Sequence, residues 1–133
     1  MWWRIPLVGL AVVALAGCAP ASIATWELDG PVAADSTEVE ILVKRAECSS
    51  GVTGKVLAPE IEYESDRILI TAFVEPLEGS SHTCPDNDAV PLVVQLSEPV
   101  MDRELVDAYC LNPDVAGYAW CRESEGMRWP PAR

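Results

Sequence analysis

The chain has 133 residues, half of them hydrophobic, and carries 9 Lys and Arg against 21 Asp and Glu, a net charge of −12. This size fits a single domain, and the hydrophobic content excludes a disordered chain. Because phosphate recognition needs clustered positive charge, the composition also excludes a general nucleic-acid binder. A single His leaves little scope for His-based catalysis or a multi-His metal site, so we expect no metal and no cofactor.

The first residues are typical of a secretory signal. Arg4 supplies a positive charge, and the apolar run Ile5–Ala16 is shorter than the roughly 20 residues that a transmembrane helix needs. The run ends in Leu15–Ala16–Gly17–Cys18, which resembles the lipobox of bacterial lipoprotein precursors. The resemblance implies cleavage before Cys18 and a diacylglyceryl group on its thiol, with acyl chains such as palmitate as the membrane anchor.

This cleavage site sets the predicted boundaries. Residues 1–17 form the signal peptide, residues 18–24 a lipid-anchored tether of small side chains, and residues 25–133 the folded domain. Removing the signal peptide removes Arg4 alone among the charged residues, so the mature chain carries a net charge of −13. We expect the domain on the extracytoplasmic face of the cell membrane. The alternative is an uncleaved N-terminal anchor.

Short runs in which apolar and polar residues alternate fill the domain, and this alternation predicts strands. The best hairpin signal joins two such runs through a turn at Ser65–Asp66. Pro residues lie mostly between the runs, as pairing strands require. The predicted strands cover Thr25–Leu28, Glu38–Cys48, Glu60–Glu64, Arg67–Glu75 and Val90–Ser97.

The C-terminal part of the domain is less regular. Leu105–Cys110 is predicted as a short strand or a helical turn, Tyr118–Cys121 as a short strand, and Trp129–Arg133 as an extended tail. Several short strands with turns between them predict an all-β fold, a small antiparallel β-sandwich stapled by two disulfides. A small flanking helix is compatible with this prediction.

Four cysteines remain once Cys18 carries lipid, and an even number in an exported chain of this size predicts two disulfides. Three pairings are open. We favour Cys48–Cys84 and Cys110–Cys121, because the second pair brackets a turn-rich segment that closes easily. In the chain-entropy model the two closures contribute about 4 and 3 kcal/mol. A zinc site made from Cys48, His82 and Cys84 is the alternative, which an oxidising exterior disfavours.

Three polar clusters each have a structural and a chemical interpretation. Asp86–Asn87–Asp88 offers oxygen ligands for calcium but lacks the rest of an EF-hand loop, so we favour a polar turn. Ser80–Ser81–His82 places hydroxyls beside an imidazole without a nucleophile elbow, so we favour a surface loop. Glu60, Glu62 and Glu64 lie side by side on one strand rather than across a substrate from each other, so we favour a solvated face.

The C-terminal quarter is rich in aromatic residues, namely Tyr109, Tyr118, Trp120 and Trp129. Large rings fill the core of a small sandwich, whereas exposed rings form a stacking platform for sugar or peptide. We favour core packing for most of them. If the rings are exposed, Trp120 and Trp129 are the predicted binding anchors.

One segment of the mature chain has a second resemblance. Glu98–Asp107 resembles a Leu-Ser-Glu-Pro-Leu-Gly-Asp-Arg-type segment of small uncharacterised lipoproteins of actinobacteria, and departs from it at Met101, which replaces a small residue. The resemblance implies no particular activity.

These observations favour a non-enzymatic surface lipoprotein that binds an envelope protein or glycan, or supports an envelope complex, with its oligomeric state open. The alternative is a small cell-envelope hydrolase that uses dispersed carboxylates or Ser81 with His82. Such a hydrolase should hold His82 or two facing carboxylates in a concave pocket. A binding module should instead expose an apolar or aromatic patch anchored by Trp120 or Trp129.

Overall fold

The computed structural model describes residues 20–79 and 81–130. The predicted signal peptide, Cys18 and the first residues of the tether therefore lie outside the described part of the chain. Seven strands, one 3-10 turn and one short helix make up the described part. The strands are β1 (Ser22–Leu28), β2 (Glu38–Arg45), β3 (Glu60–Tyr63), β4 (Arg67–Val74), β5 (Val90–Gln95), β6 (Glu104–Asp107) and β7 (Met127–Trp129); the 3-10 turn spans Ala108–Leu111 and helix α1 spans Ala119–Arg122.

The seven strands form one sheet in the order β5-β2-β1-β4-β6-β7, with β3 on the other edge of β4. The predicted hairpin is confirmed, since Glu60–Tyr63 pairs antiparallel with β4 from Ile68 to Thr71. Five of the six strand pairs are antiparallel, and the β4–β6 pair is parallel. A parallel pair needs a long crossover, and residues 75–103 between these two strands supply it.

Strand β4 forms the corner at which the sheet folds over on itself. Near its C-terminal end it pairs with Ser22–Ala24 of β1, while near its N-terminal end the same edge pairs with β6. Beyond Ala24, β1 therefore diverges from β4 and β6 takes its place. The β1–β2–β5 part and the β3–β4–β6–β7 part of the sheet thereby face a common interior.

That interior confirms the period-two prediction. Val39, Ile41 and Val43 of β2 are fully buried, and so are alternate residues of β4. Trp26 is the largest buried side chain, and its indole Nε1 donates to the Ile70 carbonyl oxygen at 2.9 Å. One cluster unites both parts of the sheet: Ala24, Trp26, Val39, Ile41, Val43, Ile68, Ile70, Ala72, Val74, Val94, Leu96, Val100 and Leu105. The all-β prediction is confirmed.

Both favoured disulfides are also confirmed. Cys48–Cys84 has a Cα–Cα distance of 4.5 Å and Cys110–Cys121 one of 5.2 Å. The first joins the loop after β2 to the loop before β5, and the second joins the 3-10 turn to α1. The two bonds therefore fix the irregular segments rather than the strands.

The N-terminal boundaries differ from the prediction. Strand β1 begins at Ser22, so Ser22–Ala24, which the sequence places in the tether, is part of the sheet. Ala24 is fully buried opposite Ala72, because a small side chain fits where two strands of the corner approach closely. Strand β2 ends at Arg45 rather than Cys48, since the Arg45 backbone N–H donates to Thr53 Oγ1 of the following loop.

The C-terminal segments differ as well. Tyr118–Cys121 was predicted as a strand, but helix α1 lies there, and both Cys121 N–H and Arg122 N–H donate to the Tyr118 carbonyl oxygen. A compact turn is required because Cys121 must return to Cys110 within 11 residues. Leu105–Cys110 contains both predicted alternatives, a strand followed by a 3-10 turn. Part of the predicted extended tail pairs with β6 as β7.

Candidate binding groove

An open groove of about 410 Å³ lies on the outward face of β1 and β2. Because Trp26, Ile41 and Val43 point into the core, the alternate residues of these strands face outward and form its floor. We call it the Trp120 groove. Its floor is formed by Thr25, Glu27, Leu42 and Lys44, one wall by the Cys48–Cys84 loops, and the other by Trp120.

The first wall is held by a buried asparagine. Asn87 is 7% exposed, and its amide nitrogen donates to the carbonyl oxygens of Arg45 and Glu47, each at 2.9 Å. Its carbonyl oxygen accepts from Ser49 Oγ at 2.8 Å. Asn87 thereby joins the loop after β2 to the loop before β5. This corrects the polar-turn interpretation of the cluster around it, because the cluster's side chains bond β2 and the loop that follows β2 rather than their own backbone.

Neighbouring residues strengthen the same wall. The Thr53 backbone N–H donates to Asp88 Oδ1 at 2.6 Å, and Asp88 N–H donates to the Gly51 carbonyl oxygen at 3.0 Å. Lys44 Nζ lies 2.9 Å from Asp86 Oδ2 across the floor of the groove. All three residues of the Asp86–Asn87–Asp88 cluster are thus engaged with protein groups.

The second wall presents an exposed aromatic side chain. Trp120 is 36% exposed and stacks on Tyr118, with 4.9 Å between ring centroids. Its position on α1 is fixed by the adjacent Cys110–Cys121 disulfide. Arg128 Nη1 also donates to the Trp120 carbonyl oxygen at 2.8 Å. A rigid, partly exposed indole of this kind is what a binding surface uses as an anchor.

A buried ion pair lies between the groove and the interior. Asp107 is fully buried, and its Oδ2 accepts from Thr25 Oγ1 at 2.7 Å, from Trp26 N–H at 3.1 Å and from Arg128 Nη2 at 3.0 Å. Burial raises the pKa of the Asp107 carboxyl, and these donors oppose the rise. Arg128 also donates through Nε to the Trp26 carbonyl oxygen at 2.7 Å. Arg128 therefore links β1, β6 and the Trp120 wall.

Three acidic and two basic side chains line the groove, and most of them are paired. Asp86 is paired with Lys44, and Glu47 lies 2.7 Å from Arg45 Nη1. Among the described residues, Glu27 on the floor makes no ion pair within 4 Å. The groove therefore combines an indole, an apolar patch at Leu42 and one unneutralised carboxylate, a mixture of surfaces that suits a partly polar ligand.

The structure separates the two predicted binding anchors. Trp120 lines the groove, whereas Trp129 is half-buried in β7, opposite Leu105, and packs against the core. Of the four aromatic residues, Trp129 alone packs against the core cluster, while Tyr118 and Trp120 are exposed, so the expectation of core packing for most of them is wrong.

The residues of the alternative hydrolase do not form one site. His82 and Ser81 are exposed on the loop before β5 and do not line the groove, and Ser80 lies outside the described residues. Glu60 and Glu62 border a second cavity of about 340 Å³, while Glu64 pairs instead with Arg67 Nε at 2.8 Å. Within residues 20–79 and 81–130, no group of three or more His, Cys, Asp or Glu side chains is arranged to hold a metal ion.

Sequence reasoning missed the pairing of Asp107 with Arg128, and it assigned Asn87 to a polar turn rather than to a contact between two loops. Asp107 and Arg128 are 21 residues apart, and their partner Thr25 lies at the other end of the domain, so no local pattern indicates that they meet. The one available signal was Asp107 at the end of a short apolar run, where an acidic residue inside a strand needs a partner.

Two further observations complete the description. In the part of the chain that the structure describes, no helix has the length and apolar character to cross a membrane. Comparisons with protein-family models, with curated proteins and with solved structures find no match for this chain.

Proposed function

We propose that this chain is a lipid-anchored, non-enzymatic binding module of the cell envelope, which holds an envelope protein or glycan in the Trp120 groove. The anchor is the diacylglyceryl group expected on Cys18, and the groove is the surface offered to the partner. The observation that carries the proposal is the exposed indole of Trp120 on the wall of the groove.

The way in which Trp120 is held supports a binding role. Packing on Tyr118, a backbone bond from Arg128 and a neighbouring disulfide all restrict its motion. A side chain that is already ordered loses little conformational entropy when a ligand contacts it, so more of the contact energy is retained as affinity.

Crosslinking in native membranes tests the groove. The full-length chain and its Trp120→Ala variant are crosslinked, purified and compared by mass spectrometry and by glycan analysis. We expect a specific partner with the wild type and at least tenfold less with Trp120→Ala, because the central aromatic anchor of an interface contributes 2 kcal/mol or more.

Val93→Ala is the matched control, since Val93 is 51% exposed on the same face of the sheet but does not line the groove. It should recover the partner as the wild type does. Equal recovery of the partner by all three proteins would show that it binds at a surface other than the Trp120 groove. Recovery of nothing specific, together with His82-dependent turnover of a cell-wall or ester substrate, would favour the hydrolase instead.

The lipid anchor has a separate test. Detergent phase partitioning compares the wild type with Cys18→Ser, whose hydroxyl cannot accept the diacylglyceryl group. We expect the wild type in the detergent phase and the variant in the aqueous phase, because two acyl chains suffice for stable anchoring. If both proteins partition into the aqueous phase, the proposed lipid anchor on Cys18 is wrong, regardless of what the groove binds.

A further inference from the structure

The two disulfides differ in their access to solvent. Cys48 and Cys84 are both exposed, and both line the Trp120 groove. Cys110 and Cys121 are 5% and 1% exposed. Thiol–disulfide exchange requires an attacking thiolate to reach a sulfur atom, so access decides which bond reacts. Only Cys48–Cys84 offers that access in the native fold.

The loops joined by Cys48–Cys84 are also joined without it. Ser50 N–H donates to the Thr83 carbonyl oxygen at 2.9 Å, and Thr83 N–H donates to Ser50 Oγ at 3.1 Å, so two hydrogen bonds join residues next to the disulfide. Asn87 adds its three hydrogen bonds to the same pair of loops. Opening the sulfur–sulfur bond therefore leaves the two segments held in place and the two thiols close together.

The other disulfide has no such freedom. Gly126 packs so closely on Cys110 that a Cβ on the glycine would lie 2.6 Å from Cys110 Cβ. Cys121 is a buried residue of α1, and Sγ of its partner Cys110 accepts from Arg128 Nη2 at 3.8 Å. An external thiol reaches these sulfur atoms only after that region opens.

We propose that Cys48–Cys84 is a thiol–disulfide exchange site, which an external dithiol reduces while the fold stays intact. It is a second activity of the groove wall, independent of what the groove binds. Cys110–Cys121 is a purely structural bond under the same conditions.

Reduction of the bond proceeds by two successive thiolate attacks. A thiolate of the dithiol attacks Sγ of one cysteine, the Cys48–Cys84 bond breaks, and the departing cysteine thiolate takes up a proton. The second thiol of the reductant loses its proton and attacks the mixed disulfide, which forms the internal disulfide of the reductant and releases the other cysteine. Two electrons and two protons pass from the dithiol to the protein.

Site-resolved alkylation tests the proposal on the native full-length chain. The protein is incubated with dithiothreitol, quenched with an alkylating reagent and mapped by peptide mass spectrometry, which also separates Cys18 from the other cysteines. We expect Cys48 and Cys84 to be labelled together, at least tenfold faster than Cys110 and Cys121, with an unchanged circular dichroism spectrum. Equal rates for the two pairs, or loss of the spectrum as Cys48 and Cys84 become labelled, would overturn it.

Re-closure of the bond tests the role of the loops. After removal of dithiothreitol, oxidised glutathione should restore Cys48–Cys84 at least fivefold more slowly in Asn87→Ala than in the wild type, because the thiols are then held together less closely. Asn112→Ala is the matched control, since Asn112 caps the 3-10 turn beside the other disulfide. It should re-close at the wild-type rate, and an unchanged rate in Asn87→Ala would show that the loops do not position the thiols.

Discussion

Arg128 joins three segments that are far apart in the sequence, and its charge is compensated almost entirely by Asp107. The two side chains are 9% and 0% exposed, which makes this pair the most deeply buried ion pair among the described residues. Removing one partner of such a pair leaves the other charge without compensation in a medium of low polarity. The pair therefore matters far more to stability than the exposed ion pairs around it.

Arg128→Met is expected to lower the free energy of unfolding at neutral pH by about 3 to 5 kcal/mol, as measured by urea denaturation. Without the guanidinium, the pKa of Asp107 in the folded state rises further above its usual value of 3.8. A raised pKa means that the folded state retains a proton that the unfolded state has lost, so the penalty is present above that pKa and disappears as the pH falls toward 3.8. The difference between variant and wild type should therefore shrink in acid.

The exposed Arg122→Met serves as the control for this prediction, and its unfolding free energy should stay within about 0.5 kcal/mol of the wild type at every pH. A difference between Arg128→Met and wild type that is constant across the pH range would contradict the role assigned to the Asp107 carboxyl.

Gly126 is required by both its backbone angle and its neighbours. Its φ is +82°, and a Cβ would lie 3.0 Å from the Asp107 carbonyl oxygen as well as against Cys110. Strain and overpacking together should make Gly126→Ala less stable by about 2 to 4 kcal/mol in thermal or urea unfolding. Gly117→Ala has open space around it and should change little, so similar losses in both variants would refute the steric explanation.

At the level of elements, the β3–β4 hairpin depends on a charged pair at its turn. Arg67 donates to Glu64 Oε2 at 2.8 Å, and this hydrogen bond lowers the pKa of the Glu64 carboxyl below its usual value of 4.5. A lowered pKa stabilises the folded state above pH 4.5, and this contribution is lost as the pH falls through the folded-state pKa.

NMR titration should therefore find a Glu64 pKa below 4.5 in the wild type and a higher pKa in Arg67→Gln, because Arg67 is the group that lowers it. Lys55→Gln is the control, because Lys55 pairs with Glu75 rather than with the hairpin turn. An unchanged Glu64 pKa in Arg67→Gln would exclude Arg67 as the cause.

The elements that the sequence predicted well are those with period-two patterns, above all β2 and β4, because alternation follows directly from burial of one strand face. The helix at Ala119–Arg122 was missed because a disulfide of short span, rather than local propensity, sets its shape. The sequence also singled out Trp120, which lines the groove, and its role as a binding anchor stays a prediction. It could not identify the groove itself, since the floor, the Asn87 wall and the Arg128 support come from segments that meet only in the folded chain.

For the whole molecule, the disulfides contribute to stability mainly by lowering the conformational entropy of the unfolded chain. The double variant Cys48→Ala, Cys84→Ala loses the bond that closes a loop whose two cysteines are 36 positions apart in the sequence. Its free energy of unfolding should be lower by about 4 kcal/mol in the chain-entropy model. Hydrogen exchange should nevertheless find the Ser50 and Asp88 amides still protected, because their hydrogen bonds remain. Rapid exchange at both amides in the folded variant would show that the disulfide itself holds the loops.

Strand β1 starts only four positions after Cys18. This short spacing limits how far the domain can lie from a membrane to which Cys18 is anchored. A fully extended chain advances about 3.5 Å per residue, so a lipid on Cys18 would keep Ser22 within about 14 Å of the headgroups. Glu27 lies five positions further along the same strand, about 17 Å at the rise of a β-strand. The Trp120 groove would then have its floor, at Glu27, no more than about 31 Å above the bilayer. Its ligands would have to be neighbours in the plane of the membrane, or molecules that pass close over it.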